Sequence, residues 1–270
     1  MACKDAKKNL AEAENFETKN IQFETKEVQK EKKVKSLVFG VDSETTSYNV
    51  LQNNITEFEW VARNKVYPNF WGRNLVGENA LTKEEINFLH SKGCKIAAVY
   101  SRSGEKQSEE QGRVLAKKIF ELALELNIPD GTAIFLEIDE NENASCDFMR
   151  GFASMLLKNE FTPGFKANTD AKFGFDREYS RGMQTDRYIF EKCIIWAVAP
   201  SLVEYEHVTT THLIHPDNWM PFSPSAITRK DIAIWQYGKK CHPIADDSGK
   251  ETTFNVNLIR DSKIIIEKMF

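Results

Sequence analysis

The chain has 270 residues, of which 41% are hydrophobic and 28% are charged, the composition of a soluble globular protein. This length suits one α/β barrel of about 250 residues with an additional segment, or two smaller domains. Acidic residues outnumber basic ones 40 to 36. The resulting net charge of −4 argues against nucleic-acid binding, which usually requires an excess of Lys and Arg.

The sequence predicts no membrane span. The longest apolar stretch without a charge, residues 193–203, is well short of the roughly 18 residues that a spanning helix needs. The polar N-terminus also lacks the apolar core of a signal peptide. Either the protein is cytoplasmic, or it is a secreted or cell-envelope protein whose leader precedes this sequence.

The cysteines do not form a recognisable framework. Their number is odd, they are widely spaced, and no Cys-x-x-Cys pair occurs, so a zinc ribbon or a thioredoxin motif is excluded. They are Cys3, Cys94, Cys146, Cys193 and Cys241. A core of this size does not need disulfides for its stability.

Residues 1–33 differ from the rest and predict a disordered or partly helical polar tail, because they are rich in Lys, Glu, Asn and Gln. The tetrad Phe-Glu-Thr-Lys at 16–19 recurs at 23–26, but one heptad repeat is too short to predict a coiled coil. If Met1 and Ala2 are a cloning addition, Cys3 fits the lipidated first residue of a bacterial lipoprotein. An incidental cysteine in the tail is the simpler alternative.

From Val34 onward, short apolar runs alternate with amphipathic patterns, which predicts strands that alternate with helices. The predicted strands are 36–42, 66–73, 95–100, 132–139, 162–168, 194–199, 232–237 and 253–257, and the predicted helices are 49–64, 82–92, 105–127 and 146–158. The pattern predicts an α/β fold, a (β/α)8 TIM-like barrel over residues 34–270. Because the last third is less regular, an open sheet is the alternative.

Polar residues at the carboxyl ends of the strands are candidates for a site, because barrel active sites are built there. The first three strands end in or near Asp42, Arg73 and Tyr100. On the fourth strand, side-chain alternation turns Glu137 and Asp139 toward the barrel interior. Two inward acids are costly to bury unless they pair or act. We expect the four charged residues to converge at one end of the barrel.

Other strands add aromatic rings and amides near the same level, namely Trp71, Asn168, Trp196, Trp235, Gln236 and Asn255. Acid pairs cleave glycosidic bonds, aromatic faces stack on sugar rings, and amides bind hydroxyl groups. The sequence has neither a glycine-rich phosphate loop nor a Gly-x-Ser-x-Gly motif, so the pattern favours carbohydrate chemistry. Each residue has a structural alternative: Asp42 as a turn cap, Arg73 as the partner of a buried acid, and the tryptophans as core residues.

A histidine cluster in the segment 206–217 is a candidate zinc site, because zinc sites use three such ligands. It consists of His207, His212 and His215, with Asp217 nearby. Its spacing matches no recognised zinc pattern, and a loop with ordinary polar residues is the preferred interpretation. We therefore expect no metal and no other cofactor.

Seven motifs follow one another between about Val34 and Arg260: FGVD (39–42), FWGRNL (70–75), LTKEE (81–85), GCKI (93–96), IPDGTAIF (128–135) leading to Asp139, PGF (163–165) and IWQY (234–237). Their order and spacing resemble the glycoside-hydrolase-like barrels of domain-of-unknown-function family 1906. That family is in turn similar to the Chalaropsis-type lysozymes, which cleave peptidoglycan with acids on barrel strands.

The resemblance implies that Asp42 matches the Asp that ends the first strand of those lysozymes. Their fourth strand ends in Asp-x-Glu, whereas the corresponding stretch here is Asp139-Glu140-Asn141, so an Asn replaces the second acid unless Glu137 takes its place. Their last strand ends in Asp-x-Asn, and here Asn255 stands at the acid position. Both departures bear on lysozyme-like catalysis.

The leading hypothesis is a cell-envelope glycoside hydrolase, a monomer, that acts on peptidoglycan or a related polysaccharide. Glu137 or Asp139 would be the general acid, and Asp42 the second carboxylate. Arg73, Asn168, Gln236 and Asn255 would bind hydroxyl or N-acetyl groups, and Trp71, Tyr100, Trp196 and Trp235 would form a wall against the sugar. The alternatives are a glycan-binding barrel that has lost its second acid and an unrelated small-molecule binder.

Overall fold

The computed structural model describes residues 37–51, 54–63, 67–101, 104, 106–202, 207–208, 219–243, 254–260 and 265–270. The predicted tail, with Cys3 and the repeated tetrad, lies outside these residues, and so do His212, His215 and Asp217. The division into tail and barrel therefore stays a prediction.

Nine strands are present in the described part of the chain: β1 (Val38–Asp42), β2 (Phe70–Asn74), β3 (Lys95–Tyr100), β4 (Ala133–Ile138), β5 (Thr162–Asn168), β6 (Ile194–Leu202), β7 (His207–Val208), β8 (Ile232–Pro243) and β9 (Phe254–Ile259). All except β7 form a closed ring. Strands β1 to β6 pair in parallel in chain order, and β6 pairs in parallel with β8. Strand β9 closes the ring antiparallel to both β8 and β1.

This ring confirms the predicted α/β barrel and excludes the open sheet. The antiparallel direction of β9 differs from an ideal barrel in which all eight strands run the same way. Because β9 runs backwards, Asn255 near its start lies beside Asp42 at the end of β1. The last strand thus brings its first residues to the end of the barrel where the other strands finish.

The described residues also form six helices, which lie between β1 and β6: α1 (Glu57–Arg63), α2 (Lys83–Ser91), α3 (Glu109–Glu125), α4 (Cys146–Lys158), α5 (Gly174–Thr185) and α6 (Arg187–Phe190). The last two both lie between β5 and β6. Helices α1 and α3 begin later than predicted because capping boxes fix their first turns. Thr56 and Glu59 exchange side-chain and backbone hydrogen bonds before α1, and Ser108 and Gln111 do the same before α3.

The barrel wall separates two apolar layers. On β4, Ile134, Leu136 and Ile138 belong to the cluster shared with the helices, as strand alternation predicts. Phe135 belongs to a smaller cluster inside the barrel, together with Trp196. The C-terminal residues cover the amino ends of the strands, where the backbone N–H of Ala133 donates to the carbonyl of Lys268. A binding or catalytic site is therefore expected at the carboxyl ends of the strands, which these residues do not cover.

Candidate active site

A pocket of about 290 Å³ opens at the carboxyl ends of β1 to β5. Its lining is mostly polar and comes from strand ends and from the loops that follow β1 and β2. The lining residues are Asp42, Ser43, Glu44, Gly72, Arg73, Asn74, Val76, Gly77, Glu78, Asn79, Val99, Ser101, Glu137, Lys166 and Asn255. Of the four charged residues expected to converge, Asp42, Arg73 and Glu137 lie at this pocket, and Asp139 is not among its lining residues.

Asp42 is buried, and both of its carboxylate oxygens are occupied by donors. Oδ2 accepts from Lys166 Nζ at 2.7 Å and from Asn255 Nδ2 at 2.8 Å. Oδ1 accepts from Asn257 Nδ2 at 2.8 Å, and Asn257 is fixed in turn by the indole N–H of Trp196. The two side-chain amides of β9 are therefore hydrogen-bond donors to Asp42. A carboxylate at either of their positions would repel the Asp42 carboxylate.

Gly72 allows this arrangement, because β2 passes very close to Asp42. A Cβ atom at position 72 would lie 2.6 Å from the Cβ of Asp42 and 2.9 Å from the indole ring of Trp196. No real side chain tolerates such contacts without displacing its neighbours. The glycine of the FWGRNL motif thus makes room for the Asp42 carboxylate and the ring beneath it.

Lys166 joins Asp42 to Glu137. Its ammonium group lies 3.1 Å from Glu137 Oε1 and 5.0 Å from the centre of the Trp196 ring. Burial lowers the pKa of Lys166, but the charges of Asp42 and Glu137 outweigh burial and raise the pKa above its usual range. Lys166 is therefore a permanent cation, and we call Asp42, Lys166 and Glu137 the pocket cluster.

The distances to Lys166 limit how far apart the two acids lie. Since the nearest oxygens of Asp42 and Glu137 are 2.7 and 3.1 Å from the same Nζ atom, they can be separated by no more than the sum, about 6 Å. The ammonium group also occupies the gap, so these two acids do not face each other across free space.

Arg73 lies on the helix-facing side of β2 and does not offer its guanidinium to a ligand. Its Nε lies 2.9 Å from Glu85 of α2, while Nη1 and Nη2 donate to the carbonyls of Ser43 and Asn79 at 2.7 and 2.6 Å. Arg73 thus holds the two loops that line the pocket, and its expected role in binding hydroxyl groups is corrected to a structural one.

A second carboxyl group, that of Glu57, is buried behind the pocket beside Arg73 and Glu85. It accepts a hydrogen bond from the Thr45 hydroxyl. Burial raises the pKa of Glu57 to about 7, although hydrogen bonds from Thr45 and Ser43 and the charge of Arg73 act in the opposite direction. We call Glu57, Arg73 and Glu85 the rear cluster.

Asp139 follows β4 at the rim of the barrel and is exposed. Its Oδ1 accepts from the backbone N–H and the side-chain amide of Asn141, at 2.9 and 3.0 Å, which closes a local turn. Asn141 therefore belongs to the turn after the strand. Of the acids of β4 and the turn that follows it, Glu137 lines the pocket, whereas Asp139 lies at the exposed rim.

The expected aromatic wall is not formed. Trp71 stacks on Phe58 of α1, Tyr100 belongs to the helix-facing cluster, and the indole N–H of Trp235 donates to the carbonyl of Ala199. Because these three rings are buried on the outer side of the barrel wall, they cannot contact a sugar in the pocket. Trp196 does point inward, but it lies beneath Lys166 and is fully buried.

The remaining predicted residues are divided between the rim and the interior. Asn168 lies at the end of β5, where its amide donates to Glu140 at 3.3 Å. Gln236 is buried on the inward face of β8, next to Asn257 in the strand register, and its Oε1 has no hydrogen-bond partner in the described part of the chain. Asn255 lines the pocket and also accepts from the backbone N–H of Lys240.

Sequence reasoning missed Lys166, which organises the site. Strand alternation could have predicted its position. Lys166 is two residues before Asn168, so both side chains lie on the same face of β5, between apolar neighbours. It also missed Glu57, and it did not predict that the carboxylate of Glu85 pairs with Arg73. The pattern Thr-x-x-Glu at 82–85 indicates a capping box instead.

The described residues include no group of three or more His, Cys, Asp or Glu side chains placed to hold a metal ion. They also include no helix that is both long and apolar enough to cross a membrane.

Two solved structures share this fold. The crystal structure of an uncharacterized B. stearothermophilus protein matches with a TM-score of 0.69 at 22% sequence identity, covering 86% of this chain and 100% of that one. The spore cortex lytic enzyme SleM from Clostridium perfringens matches with a TM-score of 0.51 at 11% identity, covering 84% of this chain and 68% of SleM. At these identities the similarity concerns the fold alone. No curated protein matches the chain by sequence.

The family described as "Rv2525c-like, glycoside hydrolase-like domain" matches residues 66–257, which is more than half of the chain. The matched segment reaches from the approach to β2 into β9 and contains Glu137, Asp139 and Lys166. It confirms the resemblance drawn from the motifs. The chain belongs to the Rv2525c-like family of glycoside hydrolase-like domains.

Proposed function

We propose that this protein is a glycoside hydrolase that cleaves peptidoglycan or a related cell-envelope polysaccharide at the mouth of the barrel. Membership of a glycoside hydrolase-like family supports the reaction class. SleM, which shares the fold at low identity, is named a spore cortex lytic enzyme, and this supports an envelope polysaccharide as substrate. A protein with such a substrate works outside the cytoplasm, in the cell envelope or as a secreted monomer.

The proposal rests mainly on the position of the Glu137 carboxylate. Its carboxylate lines the pocket, its side chain is 31% exposed, and one oxygen is held by the Lys166 ammonium. Glycoside hydrolysis passes through a cationic, oxocarbenium-like transition state that a fixed carboxylate can stabilise or attack. Glu137 is therefore assigned to the carboxylate beneath the anomeric carbon.

Asp139 is assigned as the proton donor to the leaving oxygen. It shares the inward parity of Glu137, lies at the strand end, and has one carboxylate oxygen that is not used in its bonds to Asn141. Asp42 takes a different role from the expected second carboxylate. Its oxygens already accept three hydrogen bonds, so it fixes Lys166 and, through Lys166, the position of Glu137.

The test is the release of reducing ends from purified cell wall. Asp139→Asn and Glu137→Gln keep the side-chain shape and remove the acid, so each should lower turnover by about 10²–10⁴-fold while the fold is retained. Asp130→Asn is the matched control, because Asp130 is an exposed acid before β4, at the opposite end of the barrel. Turnover that survives in both pocket variants would contradict the assignment.

A glycan-binding barrel without turnover is the second candidate function. The observation that favours it is the neutral and cationic environment of Asp42, whose partners are two amides and Lys166 where the lysozyme pattern has a further acid. In that case the wild type binds a cell-wall glycan on an array without cleaving it, and Asp139→Asn only weakens the binding.

A further inference from the structure

Among its described residues, the pocket offers no aromatic surface of the kind on which neutral sugar rings usually stack. None of its described lining residues is aromatic, and the apolar side chains among them are Val76 and Val99. The rings that were expected there are buried on the outer side of the wall or beneath Lys166. The described lining therefore offers a ligand mainly charges and hydrogen bonds.

The charges that line the pocket are not balanced. Four lining residues are acids and two are bases. Both bases are already paired, Arg73 with Glu85 behind the wall and Lys166 with Asp42 at the floor. Glu44 and Glu78, one in each of the two loops, are exposed and form no ion pair or side-chain hydrogen bond with any other described residue. Together with Glu137 they give the open part of the pocket an excess of negative charge.

An extended organic cation fits this distribution better than a metal ion. The acids at the open part of the pocket come from separate elements: Glu44 from the loop after β1, Glu78 from the loop after β2, and Glu137, which also pairs with Lys166, from β4. No described set of three or more such ligands converges on one point. A cavity of about 290 Å³ is also far larger than a single ion needs. The lining instead offers dispersed acceptors to a molecule that carries both hydroxyl groups and a positive charge.

We propose that the pocket selects glycans whose amino sugars carry a free ammonium group, of the glucosamine type, over their N-acetylated counterparts. The identification of the ligand as a glycan rests on the proposed function, and its charge rests on the lining. An ammonium group donates three hydrogen bonds to carboxylates. An acetamide is neutral and exposes a methyl group that would need apolar contacts, for which the pocket offers little.

The experiment compares two ligands of equal length, a glucosamine pentamer and its fully N-acetylated twin, by isothermal titration calorimetry with the full chain. At about pH 5.5 most exposed carboxylates are still ionised and the sugar amines are largely protonated. The glucosamine pentamer should bind on the order of tenfold more tightly, because several exposed charge pairs each contribute modestly. Added salt should reduce this preference, since exposed charges are screened.

Two double variants localise the preference. Glu44→Gln/Glu78→Gln removes the free acids of the loops and should reduce the preference to about twofold or less. Glu121→Gln/Glu125→Gln makes the same change in net charge on the exposed side of α3 and should leave the preference unchanged. Equal or tighter binding of the N-acetylated pentamer, or binding of neither, would overturn the inference.

The outcomes also separate this inference from the proposed function. A protein that cleaves cell wall and prefers the N-acetylated pentamer is a hydrolase with the ordinary ligand, and only the inference fails. A protein that prefers the glucosamine pentamer but releases no reducing ends from any cell wall retains the selectivity, and the proposed hydrolase fails. A preference that persists in Glu44→Gln/Glu78→Gln would contradict the assigned origin of the selectivity.

Discussion

Two charge clusters at the carboxyl end of the barrel carry the same kinds of charged group but differ in their exposure to solvent. The pocket cluster and the rear cluster each contain two carboxyl groups and one cation. In the pocket cluster Glu137 is 31% exposed, whereas all three side chains of the rear cluster are fully buried. The same set of charges is thus open to a ligand on one side of the wall and sealed on the other.

The difference follows from strand parity. Lys166 and Glu137 point into the barrel, while Arg73 points outward from β2 toward α1 and α2. The rear cluster uses its hydrogen bonds for structure: Glu85 Oε1 accepts from the backbone N–H of Ser47 at 2.7 Å, and Arg73 binds two loop carbonyls. A charged residue at the end of a barrel strand is therefore a candidate for binding or catalysis only when its side chain lies on the inward face of the strand.

The largest effect on stability should come from removing the cation of the rear cluster. Arg73→Met leaves two carboxyl groups buried without a cation, and such losses cost about 3–5 kcal/mol. Lys166→Met should cost less, about 2 kcal/mol, because Asp42 keeps two amide donors and Glu137 reaches water. Urea unfolding of both variants checks the comparison. A larger loss for Lys166→Met would show that the pocket cluster is the more tightly coupled one.

The rear cluster should also make stability depend on pH. The pKa of Glu57 is about 7 in the folded protein, above its ordinary 4.5, so the folded state holds the proton more tightly than the unfolded state does. Its favourable contribution is complete below about pH 4.5 and is lost as the pH rises through about 7, a change of about 3 kcal/mol. Arg73 and Glu85 are the charged groups that face it.

Glu57→Gln should remove this dependence. The variant should be as stable as the wild type near pH 4.5 and more stable above pH 7, since the amide cannot ionise. Thermal unfolding of both proteins at several pH values provides the measurement. If the stability of the two proteins changes with pH in the same way between about pH 4.5 and pH 7, Glu57 does not titrate in this range, which would contradict the prediction.

Local patterns predicted much of the fold. The exact bounds of β3, β5 and α4 and the inward parity of Glu137 follow from short-range alternation and helix periodicity. The direction of β9 could not be predicted, because the last two predicted strands leave residues 238–252 between them, which is enough for a parallel crossover. In the structure β8 extends further than predicted. Only residues 244–253 separate β8 from β9, fewer than the dozen or more that a crossover between parallel strands needs.

The faces of β2 could not be predicted in the same way. Both sides of a barrel strand are buried, so the sequence of β2 lacks the alternation of apolar and polar residues that marks a half-exposed strand. The sequence therefore does not tell which side Trp71 and Arg73 face. The role of Lys166 depends on residues 124 positions apart in the chain, because its partner Asp42 is on β1. Such pairs become visible only when the ring of strands is closed.

The most direct test of the account compares Glu137→Gln with Glu85→Gln, the same substitution in the two clusters. We expect Glu137→Gln to lose cell-wall turnover by at least about 10²-fold with little change in stability, because its side chain faces the pocket. We expect Glu85→Gln to lower stability by about 1–3 kcal/mol and to keep turnover within a few-fold at a temperature where it is folded. Turnover lost in Glu85→Gln and kept in Glu137→Gln would contradict the account.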